Sequence, residues 1–256
     1  MTIPFEQSPL LSGIPGVHHG FFGRRGGHSM GDYASLNVSE TVGDKPNLVA
    51  SNRADILDAL DLPTATLAQL TQVHSSRVIT LEDRHEAASR PDADAIVSAT
   101  PGVLLGIQTA DCAPILLADP QAAVIGAAHA GWKGALAGII GRTVEAMTRL
   151  GARPERIVAA IGPTISLDNY EVGPDFVASL LQQHRDASNR VGRPPGGREH
   201  FDLPGFVFDQ LIEAGVGKVN DLGRCTYGNP KHYFSHRRAT HEGKKAGRQI
   251  SLIGLV

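Results

Sequence analysis

Cysteine is scarce in this chain of 256 residues, which holds two, and tryptophan occurs once. Two thiols, Cys112 and Cys225, are too few for the disulfide framework of a small secreted protein. Residues Met1 to Leu10 lack the basic start and long apolar stretch of an export signal, so a cytoplasmic location with reduced thiols is expected. Charge of one sign is not in excess either. The formal net charge is −2, and no global positive field recruits nucleic acid or an acidic membrane surface. No apolar run reaches the length of a membrane span. Linkers, internal repeats and breaks in composition are missing too, so residues 1–256 are expected to form one domain.

Apolar material is ample. Hydrophobic residues make up 41% of the chain and charged residues 20%, as expected for a globular protein with a substantial core. Short apolar runs bounded by Pro, Asp or Gly predict buried strands at 77–81, 95–98, 103–107, 114–118, 123–128, 157–161 and 250–255. A further short strand is expected at the paired phenylalanines Phe21 and Phe22, followed by a glycine-rich loop. Helical spacing of Leu48, Asn52, Ile56 and Leu60 predicts a helix over 48–60. The same spacing of Leu136, Ile139, Ile140, Val144, Met147 and Leu150 predicts one over 134–150, closed by Gly151. Helices are also expected at 174–183 and 206–214. The polar stretch 184–199, with Pro194, Pro195, Gly196 and Gly197, reads as a mobile surface loop or lid.

Three residues carry the chemistry. His74, Cys112 and His129 lie in Gln72-Val73-His74-Ser75, Thr109-Ala110-Asp111-Cys112 and His129-Ala130-Gly131-Trp132-Lys133-Gly134. Two imidazoles and a thiolate suit a zinc ion, and three protein ligands leave a fourth tetrahedral position open, as in catalytic sites. Spacing alone does not establish that, because no tight CxxC or HxxxH pair is present and a buried cysteine is usually a small hydrophobe. Asp111 and His19 are candidate proton shuttles, and Asp111 could equally orient a ligand histidine or cap a turn. The glycines around Lys133 sit where a strand meets a helix, an arrangement that fits an anion or simply a tight turn.

Further words fix the family. Gly-Pro-x-Ile, Tyr-Glu-Val, Cys-Thr, Ser-His-Arg-Arg and Gly-Arg-Gln follow those three in order, preceded by His-Gly-Phe-Phe, Tyr33-Ala34-Ser35-Leu36-Asn37 and Asn52-Arg53. From about His18 to Leu255 the chain resembles the bacterial laccase-domain (YfiH-like) proteins. That family is described as purine nucleoside phosphorylases and also called multicopper polyphenol oxidases. The resemblance implies an α+β fold, a single layered domain of mixed β-sheets flanked by helices, similar to the catalytic domains of cytotoxic necrotising factors. It implies zinc on His74, Cys112 and His129. It also implies phosphorolysis of adenosine, inosine, guanosine and S-methyl-5'-thioadenosine, with side adenosine deaminase activity, in a monomer. Lys133 departs from the pattern, because many relatives carry arginine there, and lysine lacks the bidentate fork.

Phosphorolysis needs a place for phosphate. Arg53, Lys133, Arg237 and Arg248 are the cations within the family words that could hold it, and Trp132 could stack on the base. Deamination would need an unusual proton shuttle, since the zinc-deaminase signature His-x-Glu with Pro-Cys-x-x-Cys is absent. A different enzyme class stays open: Cys112 as a nucleophile activated by His74 or His129, in an amidase that edits peptidoglycan precursors. A multicopper oxidase needs roughly ten histidines, many in His-x-His pairs. With 11 histidines and no such pair, that mechanism is rejected. Copper on the His-Cys-His site, giving weak phenol oxidation, is kept as an alternative metal. A non-enzymatic metal or nucleotide sensor is the remaining reading.

Overall fold

In the computed structural model the described residues are 3–194 and 196–255. The N-terminal part runs β1 (Phe5–Glu6), α1 (Pro9–Ser12), β2 (Val17–Phe22), α2 (Pro46–Ala59) and β3 (Thr66–Gln69). The middle is nearly all strand: β4 (Val78–Leu81), β5 (Ala95–Ser98), β6 (Val103–Thr109), β7 (Ala113–Asp119) and β8 (Val124–Ala130). Then come α3 (Trp132–Leu136), α4 (Ile139–Arg149), β9 (Val158–Ile161) and α5 (Pro174–Gln183). The C-terminal part holds β10 (Val191–Gly192), β11 (His200–Phe201), α6 (Leu203–Glu213), β12 (Lys218–Asp221), α7 (His236–His241) and β13 (Gln249–Leu255).

Two mixed sheets face each other, in the orders β1-β2-β13-β6-β3 and β12-β9-β7-β8-β5-β4. Strand periodicity sorts the side chains into three cores. Along β6, Leu105 and Ile107 point between the sheets, while Leu104 joins Ile56 and Leu60 on the α2 side. Along β7, Leu116 and Ala118 join the inter-sheet core, and Ile115 and Leu117 pack with α4 and α6. The result is helix, sheet, sheet, helix in four layers. Strands buried on both faces read as unbroken apolar runs, not as alternation. That is how the sequence gives them away.

The strand pairings place the site. Cys112 lies just before β7, and Pro114 in β7 is paired with His129 in β8. On the other flank Ala95 pairs with Ala128, which sets Asp94 beside His129. All three residues thus reach one end of the six-stranded sheet.

Two expectations are corrected. The helix over 134–150 is two helices, because Gly138 adopts a left-handed φ of 80° between α3 and α4, and this breaks the α-helical path. The expected loop at 184–199 carries structure: a 3₁₀ turn, Arg185–Arg190, leads into the paired strands β10 and β11. Arg190 binds Asp202 and Asp209, at 2.9 and 2.6 Å, and Ala187 is buried, which ties the segment down. Pro195 lies outside the described residues.

Candidate metal centre

His74, Cys112 and His129 come together, with one ligand atom from each within 4.8 Å of the others. Among the described residues they form the one His/Cys/Asp/Glu group arranged to hold a metal ion. His74 Nε2 lies 3.8 Å from Cys112 Sγ, and the two imidazoles meet edge to face. Exposure is graded across the trio. His74 is open to solvent, Cys112 half-buried and His129 buried.

Asp94, which the sequence reading missed, organises the trio. Its carboxylate is fully buried. Oδ1 accepts from His129 Nδ1 at 2.8 Å and from the His74 backbone N–H at 3.0 Å. Oδ2 accepts from the Ser75 N–H and hydroxyl at 2.5 and 2.8 Å. One acid therefore fixes the backbone that carries one ligand and the ring of another. With the proton held on Nδ1, His129 presents the Nε2 lone pair to a metal. Gln72 adds a second brace, exchanging hydrogen bonds with the Gln108 backbone at 2.7 and 2.8 Å, as a neighbouring strand would. Between these braces His74 holds a positive φ of 59°. Asp111 does likewise at 91°. Left-handed backbone at non-glycine residues gathers at functional sites, where surrounding structure holds it.

Electrostatics favour ligation. Burial opposes ionisation of Cys112, but the positive potential and hydrogen bonds of His129 and His74 overcome it and bring the thiol down to about 6. Asp94 follows the same logic: burial raises it, but hydrogen bonds from His129 and Ser75 bring it to about 2. Burial lowers His129, but Cys112 and Asp94 outweigh it and raise the ring to about 9, so without a metal the thiolate faces an imidazolium, whose Nε2 proton a zinc-type ion would displace. Space is reserved as well. A Cβ at Gly131 would lie 2.7 Å from His74 Cδ2 and 3.0 Å from Cys112 Sγ. The donor set fits a metal.

The trio opens into a cavity of about 400 Å³. Of the four expected phosphate cations, only Arg248 lines it. Its Nη1 is held by the carbonyls of Ala246 and Gly247 at 3.1 and 3.0 Å. Burial lowers its pKa, against the opposing pull of Cys112 and Asp111. Arg53 is spent behind the wall, donating to the Val38 carbonyl and to Glu40. Lys133 is exposed and lies over the Trp132 ring, so the glycine-rich joint does not bring its charge to the cavity. Trp132 itself packs edge-on against Phe176 in the core, away from the cavity lining. Arg237 reaches over Tyr170 to the Glu171 carbonyl, 2.8 Å away.

Asp111 is structural in its contacts. Its two carboxylate oxygens accept from the Thr226 hydroxyl and the Arg237 N–H, each at 2.6 Å, which leaves it a clamp between loops. His19 lies outside the cavity lining, its Nε2 accepting from Ser8 N–H at 2.9 Å. Cys225 is free and receives donors from Ser166, Asn169 and Gly228, also away from the trio. Glu40 and Arg90 also line the cavity and were not singled out from the sequence, and His236 was read only as part of the Ser-His-Arg-Arg word. Glu40 bridges Arg53 and Arg90 at the rim, at 2.7 and 2.9 Å.

Comparison with known proteins gives the family. A purine nucleoside phosphorylase of Deinococcus radiodurans is 45% identical over 99% of this chain and 93% of its own length. A protein from an unknown prokaryotic organism, named adenosine deaminase RL5, is 34% identical over 86% of this chain and 87% of its own. The crystal structure of YlmD from Geobacillus stearothermophilus superposes with a TM-score of 0.88 at 31% identity, covering 99% of both chains. The model of the family described as multi-copper polyphenol oxidoreductase laccase matches residues 18–256, and the chain belongs to that family.

Proposed function

We propose that this protein is a zinc-dependent purine nucleoside phosphorylase, acting on adenosine, inosine, guanosine and S-methyl-5'-thioadenosine, with side adenosine deaminase activity. The observation that carries the reading is the Asp94-braced His74–Cys112–His129 trio at the wall of a cavity that also holds Arg248. The names of two relatives, one a phosphorylase and one a deaminase, support the substrate class.

In this reading the three donors hold zinc, which supplies a Lewis acid when bound. Among the described residues Arg248 Nε and Nη2 have no partner, and they are offered to phosphate as charge-assisted donors. Glu40, fixed by Arg53 and Arg90, supplies a carboxylate acceptor at the rim. Copper is the alternative occupant of the same donors. The fourfold copper chemistry suggested by the family description finds no second metal-type cluster among the described residues. A cytoplasmic monomer of one domain, acting on small molecules and not on nucleic acid, completes the proposal. The free thiols fit a reducing compartment, and no helix is long and apolar enough to cross a membrane.

One contact favours a second reading. Cys112 Sγ beside His74 Nε2 is also the geometry of a Cys–His nucleophile, as in an amidase acting on peptidoglycan precursors. The implied likeness to necrotising-factor domains belongs with that alternative. Thiolate ligand and thiolate nucleophile exclude each other in one state, so metal content separates them. The test is metal analysis of the purified protein together with products from adenosine, with and without phosphate. About one zinc per chain and phosphate-dependent adenine are expected. Metal-free protein that releases no base but cleaves amides would overturn the proposal.

A further inference from the structure

We propose that His236 is the general acid of the reaction, delivering a proton to N7 of the departing purine. This rests on the phosphorylase reading and adds the residue that reading lacks. Breaking the C1'–N9 bond leaves its electron pair on the purine, which is a poor leaving group unless N7 accepts a proton.

The cavity wall narrows the choice of donor. Among the described residues lining it, the groups that titrate are few. Glu40 is engaged by two arginines, one on each carboxylate oxygen. Arg248 and Arg90 keep their protons at any physiological pH. The His–Cys–His trio must present a thiolate and bare imidazole nitrogens to ligate a metal, so it has no proton there to give. Asp111, adjacent in sequence, has both oxygens engaged elsewhere. The serine and threonine hydroxyls on the wall are too weakly acidic to serve.

His236 remains. It lines the cavity, is solvent-accessible, and its ring makes no hydrogen bond to any described residue. Its backbone, by contrast, is well held. Ser235 caps α7 through Arg238 N–H at 3.1 Å, the next residue's N–H is clamped to Asp111 at 2.6 Å, and the His236 carbonyl accepts from Thr240. A fixed main chain with an unengaged imidazole suits a group that must meet substrate and then let go.

The step balances. The imidazolium proton passes to N7 as the C1'–N9 bond breaks and a phosphate oxygen bonds C1'. Hydrogen phosphate sheds its proton on becoming the sugar ester, and that proton restores the imidazolium through solvent. Free base and ribose 1-phosphate leave.

The test is His236→Asn with two substrates, inosine and 7-methylinosine, on zinc-loaded protein. The second base already carries positive charge at its imidazole ring and departs without protonation. Loss of a general acid should lower kcat on inosine by about 100-fold or more, and on 7-methylinosine by less than roughly threefold. Equal losses on both substrates, or no loss on inosine, would overturn the assignment. His236→Ala, read the same way with a thermal unfolding control, separates the missing proton from any asparagine-specific contact. If the unaltered protein turned over neither nucleoside, the phosphorylase reading itself would fall and the assignment with it.

Discussion

Asp94 Oδ1 accepts from His129 Nδ1 at 2.8 Å, and the same oxygen takes the backbone N–H of His74. Two candidate metal donors that are distant in sequence thus share one buried oxygen. Asp94→Asn keeps the volume but sets an amide N–H₂ against the donors it formerly satisfied. Loss of such an outer carboxylate should weaken zinc binding about 10–100-fold. Competition with a chromophoric chelator measures this, and unchanged affinity would show that the brace does not matter for the metal.

Gly131 leaves room for the trio. A methyl group there would press on His74 Cδ2 and Cys112 Sγ. Overpacking of this sort costs about 1–3 kcal/mol, or roughly 10–100-fold in affinity. Gly131→Ala is expected to lose that much zinc affinity, by titration, while its circular dichroism stays that of the unaltered protein.

Arg248 and Lys133 should separate cleanly. Arg248 lines the cavity with Nε and Nη2 unengaged among the described residues, whereas Lys133 lies over Trp132 outside it. A charged hydrogen bond contributes about 1.5–3 kcal/mol, so Arg248→Ala should raise KM for phosphate by roughly 10–100-fold. Lys133→Ala should leave it within about twofold, the surface-substitution range. The reverse pattern in initial-rate kinetics would move phosphate to the glycine-rich joint.

His19 predicts a pH dependence of stability. It is 1% exposed, its ring Nε2 accepts from Ser8, and Nδ1 has no partner among the described residues. Burial first, and then the positive charge of His18, lower it from 6.5 to about 4. Between those values the unfolded chain binds a proton that the folded one refuses, so stability rises with pH across the window and is lost as pH falls. The loss amounts to at most about 3 kcal/mol. His19→Gln, which retains an acceptor for Ser8, should flatten the denaturation midpoint between pH 6.5 and 4. An undiminished slope would assign the effect to another group.

The candidate metal trio was legible because His74, Cys112 and His129 each sit in a compact polar word against an apolar strand. The strands were legible because both of their faces are buried, and β5 matched its expected bounds, 95–98. Asp94 left a fainter mark, an acid directly abutting that buried strand. Which arginine reaches the cavity was not legible. Arg53 and Arg248 occupy similar words, and only the packing shows Arg53 turned towards Val38 and Glu40. Nor could periodicity find the break at Gly138, because its left-handed turn leaves the apolar spacing on either side undisturbed.

The most direct measurement is phosphorus NMR of inosine incubated with phosphate and protein in three forms: zinc-loaded, chelator-stripped, and Cys112→Ala. A ribose 1-phosphate signal that grows with the loaded protein, is absent from the other two, and returns when zinc is restored to the stripped form is the predicted result. Equal growth in all three would contradict a metal-dependent phosphorylase built on His74, Cys112 and His129.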